Sequence, residues 1–247
     1  MDIEVLASGS KGNCYKIKTN DTTLLIECGI NFKEIQKKLK FKMHEIDACL
    51  ITHSHRDHAK AVKDMLKSGI DCYMSYGTAE ELEVLNHHRV INFKRKNYLS
   101  FEPITKQEYR SVQIGSNVIL PFESVHDTKE SVNYFILDNI SDETLLFITD
   151  TAYVQYRFDR IDYLMIECNY DKKTLDDNSK QGLLNLDLRN RIVSNHMSLE
   201  TVIGFLNAND LSKLKKIYVM HLSDNNADEE LIKSEIQKIT GKSVVIC

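Results

Sequence analysis

The sequence predicts an α/β fold of two β-rich halves with helices on the outside, closing one composite site. Three observations lead there. Short apolar runs bounded by turn residues alternate with amphipathic helical segments early in the chain, and again near its end. Between them lies a strand-rich stretch with hairpin signals such as Gly115-Ser116-Asn117. An apolar run, Ala48–Thr52, ends in His53-Ser54-His55-Arg56-Asp57-His58, around which the remaining polar strand ends are arranged.

The elements follow in order. Ile3–Ala7 and Cys14–Lys18 read as strands joined by Ser8–Asn13, whose two glycines permit tight turns and an anion-binding nest of N–H groups. Thr22–Glu27 is the next strand. Asn31 is placed to cap a helix reaching about Leu39, with Phe32, Ile35, Gln36 and Leu39 at helical spacing. After the histidine-rich loop, a helix is expected over Ala59–Lys67, then a strand over Asp71–Met74 and a helix capped by Thr78 to about Leu85. His87 and His88 close that helix and read as surface residues, where positive charge suits the dipole. Phe93-Lys94-Arg95-Lys96 is a small basic cluster. Strands follow over Ser111–Ile114, Val118–Pro121, Val132–Leu137, Thr144–Thr149 and Tyr163–Ile166. The polar stretch Asp171–Lys180 leads into irregular and helical sequence ending at Ser194-Asn195-His196. Ser198 caps a helix over Leu199–Leu206, Lys216–Met220 is a strand, Asp228–Ile239 a helix and Ser243–Ile246 a last strand.

At 247 residues the chain is long enough for a substantial core, and 42% hydrophobic with 28% charged residues is ordinary for a globular protein. A net charge of −4 exerts no global pull on nucleic acid, although a local basic surface would suffice for binding. Six scattered cysteines without C-x-x-C pairing read as reduced, buried thiols. No run is long and apolar enough to span a bilayer, and no signal region precedes the first strand, so a cytoplasmic protein without membrane contact is expected. The oligomeric state is left open.

Three imidazoles and a carboxylate within six residues point to metal, because histidine is otherwise scarce (9 in the chain). Residues two apart on an extended segment face the same way, so His53 and His55 can share one ion. Asp57 and His58 follow where the chain turns into a helix and can face a second. Imidazole suits zinc, and carboxylate also admits manganese or iron. His126, Asp150 and His221 each stand immediately after an apolar strand and are candidates for the missing ligands.

The string H-x-H-x-D-H resembles the signature of the metallo-β-lactamase superfamily. Leu6–Asn13, Glu167-Cys168-Asn169-Tyr170-Asp171, Asn195-His196-Met197-Ser198 and His221–Asn226 further resemble its bacterial YycJ/WalJ group. The resemblance implies an αββα four-layer sandwich and a metal-dependent phosphodiesterase, acting as a 5′→3′ exonuclease on DNA more than on RNA. It implies two divalent ions, Zn2+ or Mn2+. His53, His55 and His126 would hold the first, Asp57, His58 and His221 the second, and Asp150 would bridge them. Asp57 and Asp150 would orient the attacking water. His196 would protonate the leaving oxygen or stabilise phosphate, and Glu167 would hydrogen-bond its imidazole and keep it charged. Three positions depart from the family pattern: Glu27 where Asp is usual, Tyr170 where His is expected and Asn195 where Gly is usual. The same ligands would also serve a hydrolase of cyclic nucleotides, thioesters or lactams. A flavodiiron-type redox protein usually has an acidic residue at the position of His55, and an inactive binding module would be expected to have lost ligands.

Overall fold

The computed structural model describes residues 1–94 and 109–247. They fall into two units, one formed by Met1–Ala7, Lys11–Glu123 and Thr128–Asp142, the other by Ser8–Ser10, Ser124–Asp127 and Glu143–Cys247.

The first unit contains a six-stranded sheet in chain order: β1 (Asp2–Ala7), β2 (Cys14–Lys18), β3 (Thr23–Ile26), β4 (Ala48–Leu50), β5 (Cys72–Met74) and β6 (Val90–Asn92). The first three strands run antiparallel through short turns. From β3 onward the pairing is parallel, so each connection crosses over and carries a helix. These are α1 (Phe32–Lys38), α2 (Arg56–Ala59) with α3 (Val62–Lys67), and α4 (Tyr76–Glu81). Ile35, Leu39, Val62, Met65 and Leu66 on the helices pack with Leu25, Cys49, Cys72 and Met74 on the strands, all buried. A meander of β7 (Val112–Ile114), β8 (Asn117–Glu123) and β9 (Val132–Asp138) belongs to the same unit. It is tied to the first sheet by polar bonds: Tyr134 Oη donates to the Ile51 carbonyl at 2.5 Å, Asn117 to Thr19 at 3.0 Å and Asn20 to Asp138 at 2.8 Å. Gly115 turns the β7–β8 hairpin at φ +55°, where a Cβ would meet Thr22 Oγ1 at 1.9 Å.

The helix expected over Ala59–Lys67 is broken in two, because its early backbone groups bond elsewhere. Asn13 N–H donates to the Asp57 carbonyl (2.7 Å) and Cys28 N–H to that of His58 (2.8 Å), while Ala61 N–H turns to the Cys28 carbonyl (2.9 Å). The histidine loop is thus docked by main chain on Asn13, just before β2, and on the segment after β3. The strand expected over Thr22–Glu27 stops at Ile26, since Glu27 adopts φ +66°. Ser75, not Thr78, caps α4: its side chain accepts from Thr78 N–H, and the helix ends at Glu81 rather than near Leu85. Asn31 stands at the N-cap of α1 without a side-chain capping bond. His87 and His88 lie beyond the helix with stacked rings 4.7 Å apart, His88 exposed and His87 half-buried. In the basic cluster, Arg95 and Lys96 fall outside the described residues.

The second unit carries four parallel strands in order: β10 (Glu143–Ile148), β11 (Tyr163–Glu167), β12 (Lys216–Met220) and β13 (Ser243–Ile246). β10, β11 and β12 are buried almost throughout, which explains their continuous apolar runs. Between β11 and β12 come α5 (Lys172–Lys180), α6 (Leu186–Asn195) and α7 (Leu199–Ala208), and α8 (Glu229–Thr240) precedes β13. The polar stretch over Asp171–Lys180 is a regular helix: Asp171 caps it by accepting from Thr174 N–H, and Leu175 anchors it beside Tyr170 and Leu184. Ser198 caps α7 as expected, and Asp228, expected as the first residue of a helix, instead caps α8. All six cysteines are free and five are buried; burial pushes the Cys14 and Cys168 thiols well up, which keeps them protonated. Among the described residues, no helix is long and apolar enough to cross a membrane.

Candidate metal centre

In the first unit, β4 delivers Thr52 and His53 to its carboxyl end and α2 begins immediately after His55. The rings of His53, His55 and His58 cluster there, with centroids 4.8 Å (His53–His55) and 4.2 Å (His53–His58) apart. Asp57 joins them, its Oδ2 3.3 Å from His58 Nε2. The outer nitrogens are held from behind. Thr52 Oγ1 lies 2.9 Å from His53 Nδ1, and Glu27 Oε1 lies 3.5 Å from His58 Nδ1 while also facing Thr52 N–H at 3.3 Å. Glu27 is fully buried, with its carboxylate at ion-pair distance from His58 Nδ1. Asn13 completes this group: its side-chain nitrogen lies 3.2 Å from His58 Nε2, and Tyr15 Oη donates to its oxygen at 3.0 Å.

In the second unit, Asp150, Glu167 and His221 stand at or just after the carboxyl ends of β10, β11 and β12, and His196 follows α6. Parallel strands bring their ends to one edge, so residues far apart in sequence meet. One ligand atom from each of Asp150, Glu167, His196 and His221 lies within 4.8 Å of the others. Glu167 is the hub. Its Oε1 accepts from His196 Nδ1 at 2.5 Å and from His221 Nδ1 at 3.1 Å; its Oε2 accepts from the N–H groups of Thr151 (3.3 Å) and Met197 (3.4 Å). Burial alone would raise the Glu167 carboxyl, but the His196 charge and these hydrogen bonds hold it below its ordinary value. Burial likewise opposes charge on His196, and the Glu167 and Asp150 carboxylates overcome it, so its imidazole is held above its ordinary value.

His126 donates Nδ1–H to the Asn195 carbonyl at 3.2 Å, leaving Nε2 toward Asp150 Oδ2 at 3.6 Å. Asn195 thus acts through its main chain, and its side chain bonds back to the Arg191 carbonyl at 3.1 Å. Tyr170 is buried and bridges to Ser198 at the start of α7. Asn169 holds His221 from below, donating to its carbonyl at 2.9 Å.

The donor set fits a divalent cation. It offers imidazole nitrogens and carboxylate oxygens, and the Nδ1 atoms of His126 and His221 donate to oxygens that can only accept, so both Nε2 atoms keep a lone pair. Glu27, Asp150 and His221 share a second trait: φ is +66°, +43° and +55°, a region that β-carbon-bearing residues seldom occupy. Such strain concentrates at functional positions.

A family model described as a beta-lactamase superfamily domain matches residues 22–221. The chain belongs to the metallo-β-lactamase superfamily. Within it, the chain is 30% identical over 237 residues to the exodeoxyribonuclease WalJ of Streptococcus pneumoniae serotype 2, covering 92% of this chain and 83% of that protein. It is 25% identical over 249 residues to the exodeoxyribonuclease YycJ of Bacillus anthracis, covering 97% and 89%. Among solved structures, the metallo-β-lactamase fold protein YhfI of Bacillus subtilis superposes with a TM-score of 0.70 at 16% identity, over 99% of this chain and 95% of that one. The metallo-β-lactamase αββα sandwich is therefore the fold, and the protein is a metal-dependent hydrolase.

Proposed function

We propose that this metallo-β-lactamase superfamily member hydrolyses phosphodiesters with two divalent ions, Zn2+ or Mn2+, and degrades DNA from its 5′ end. His53, His55 and His126 are assigned to one ion, Asp57, His58 and His221 to the other, and Asp150 to both. When bound, such a pair of ions supplies an activated water and neutralises charge developing on phosphate.

The observation that carries the reading is the Glu167–His196 pair. His196 is not required as a ligand, yet the buried Glu167 carboxylate engages its Nδ1 and holds its pKa above the ordinary imidazole value, which favours the proton-carrying form. A phosphodiester expels an alkoxide, a strongly basic oxygen that needs a proton, and a protonated imidazole at this position would supply it. Asp57 and Asp150 orient the attacking water, while Glu167 fixes the donor. The exodeoxyribonuclease names of WalJ and YycJ support DNA as the substrate.

Elemental analysis of protein purified without chelator tests the metal assignment. Close to two ions per chain are expected, and the double substitution His53→Ala with His55→Ala should remove one. Two ions retained in that variant would refute the ligand assignment. Hydrolysis of bis-p-nitrophenyl phosphate should be abolished by chelator. Cleavage of a lactam or thioester without action on any phosphodiester would replace the reading with a small-molecule hydrolase.

A further inference from the structure

The segment Thr151–Arg160 leaves the strand end that carries Asp150 and reaches β11 without forming a helix or strand. It is nevertheless anchored. Thr151 Oγ1 accepts from Val125 N–H at 2.9 Å and donates to the Tyr153 carbonyl at 2.8 Å, Ala152 N–H bonds the Val125 carbonyl at 3.0 Å, and Phe158 N–H bonds the Asn209 side chain at 2.7 Å. Exposure alternates along it: Tyr153, Gln155, Arg157 and Asp159 are exposed and the residues between them are half-buried. This is the period of an extended chain, so Tyr153 and Arg157 lie on one outward side, about 13 Å apart.

Tyr153 is 53% exposed. Among the described residues, neither its side chain nor the Arg157 guanidinium has a hydrogen bond, ring contact or ion pair. Both stand on a strip that begins one residue after Asp150, and three residues reach at most about 11 Å. An aromatic face and a cation on a fixed strip beside a phosphodiester-cleaving site suit one ligand chemistry: unpaired bases, which stack on rings, joined by phosphates, which seek guanidinium.

We propose that Tyr153 stacks a base of single-stranded DNA next to the scissile phosphate and that Arg157 binds a neighbouring phosphate. This rests on the phosphodiesterase reading and names its substrate as an unpaired strand. The ring is what matters, not the hydroxyl.

The test compares wild type, Tyr153→Ala, Tyr153→Phe and Arg157→Ala on two substrates: a single-stranded DNA oligonucleotide, and bis-p-nitrophenyl phosphate, which has no base to stack. Anisotropy of a fluorescein-labelled oligonucleotide in chelator reads binding apart from turnover. Tyr153→Ala should weaken oligonucleotide binding and raise its KM by about 5- to 150-fold, the range for one lost stack. The small substrate, which has no base to stack, should show a clearly smaller loss, and Tyr153→Phe should restore the wild-type KM. Arg157→Ala should lower the salt dependence of binding by about one phosphate contact. An oligonucleotide with an abasic unit at the stacked position should bind wild type and Tyr153→Ala alike. Oligonucleotide affinity unchanged in Tyr153→Ala overturns the platform, even if DNA is cleaved. Stacking-dependent binding in a protein that hydrolyses no phosphodiester would instead refute the reaction and leave the platform standing.

Discussion

At the scale of single residues, protein oxygens engage the Nδ1 atoms of His126, His196 and His221. Glu167 holds two of them, His196 and His221, on one oxygen, and the Asn195 carbonyl holds His126. His196→Ala should leave metal content near wild type while turnover falls about 10²- to 10⁴-fold, the range for a lost general acid. The loss should shrink with a p-nitrophenolate leaving group, which needs little protonation, and be full with a deoxyribose alkoxide. Loss of an ion in that variant would make His196 a ligand. Equal losses on the two substrates would make it a phosphate-binding group. The histidine string and the strand-end residues His126, Asp150 and His221 were legible because chemistry-bearing side chains interrupt apolar runs. The supports at Asn13, Thr52, Asn169 and Thr151 were not, since a lone Asn or Thr beside a strand carries no signal of its partner. Asn169, two residues after Glu167, and Asn13, at the end of Leu6–Asn13, were the nearest clues.

At the scale of elements, hydrogen-bond accounting explains where boundaries were legible and where they were not. Cys14–Lys18, Lys216–Met220 and Ser243–Ile246 match the expected strands end to end, because each is an apolar or alternating run between turn residues. The break between α2 and α3 was hidden, since it depends on Asn13 and Cys28 taking carbonyls of the loop. Helix α5 was obscured by its polar composition; its stability comes from Asp171 and one apolar anchor. Asp171 also accepts from Asp228 N–H at 3.0 Å, so it ties the start of α8 to the start of α5. Asp171→Ala should cost about 1–3 kcal/mol in denaturant unfolding, more than a cap alone, and Asp171→Asn should recover part of it. Tyr134→Phe tests the support behind the histidine loop. It strands the buried Ile51 carbonyl two residues before His53 and should cost about 1–3 kcal/mol, with weakened metal retention. A neutral Tyr134→Phe would remove that support from the account.

At the scale of the whole molecule, acid stability and the reaction itself are the readouts. Burial would raise the Asp138 carboxyl, but hydrogen bonds from Ser116, Ser141, Asn20 and Ile140 hold it well below the ordinary carboxylate range. A carboxyl depressed in the folded state contributes stability above its unfolded pKa of about 4 and loses it progressively as pH falls from there through its lower folded-state value. Asp138→Asn should therefore be less stable than wild type at pH 7, and the two unfolding curves should converge as pH drops below about 4. A constant gap across that range would contradict the assignment. The α/β class and most strands were readable from periodicity, whereas β6, with half-buried residues throughout, and the polar helix α5 were not. The left-handed residues Glu27, Asp150 and His221 were not, because nothing in their side chains announces that conformation. The most direct test of the central claim is a time course on single-stranded DNA labelled at either its 5′ or its 3′ end, with and without chelator. The account requires immediate release of the 5′ label as a small product, a progressively shortening 3′-labelled strand, and no cleavage in chelator. Retention of the 5′ label on long fragments, or no cleavage by protein carrying its full complement of metal, would contradict it.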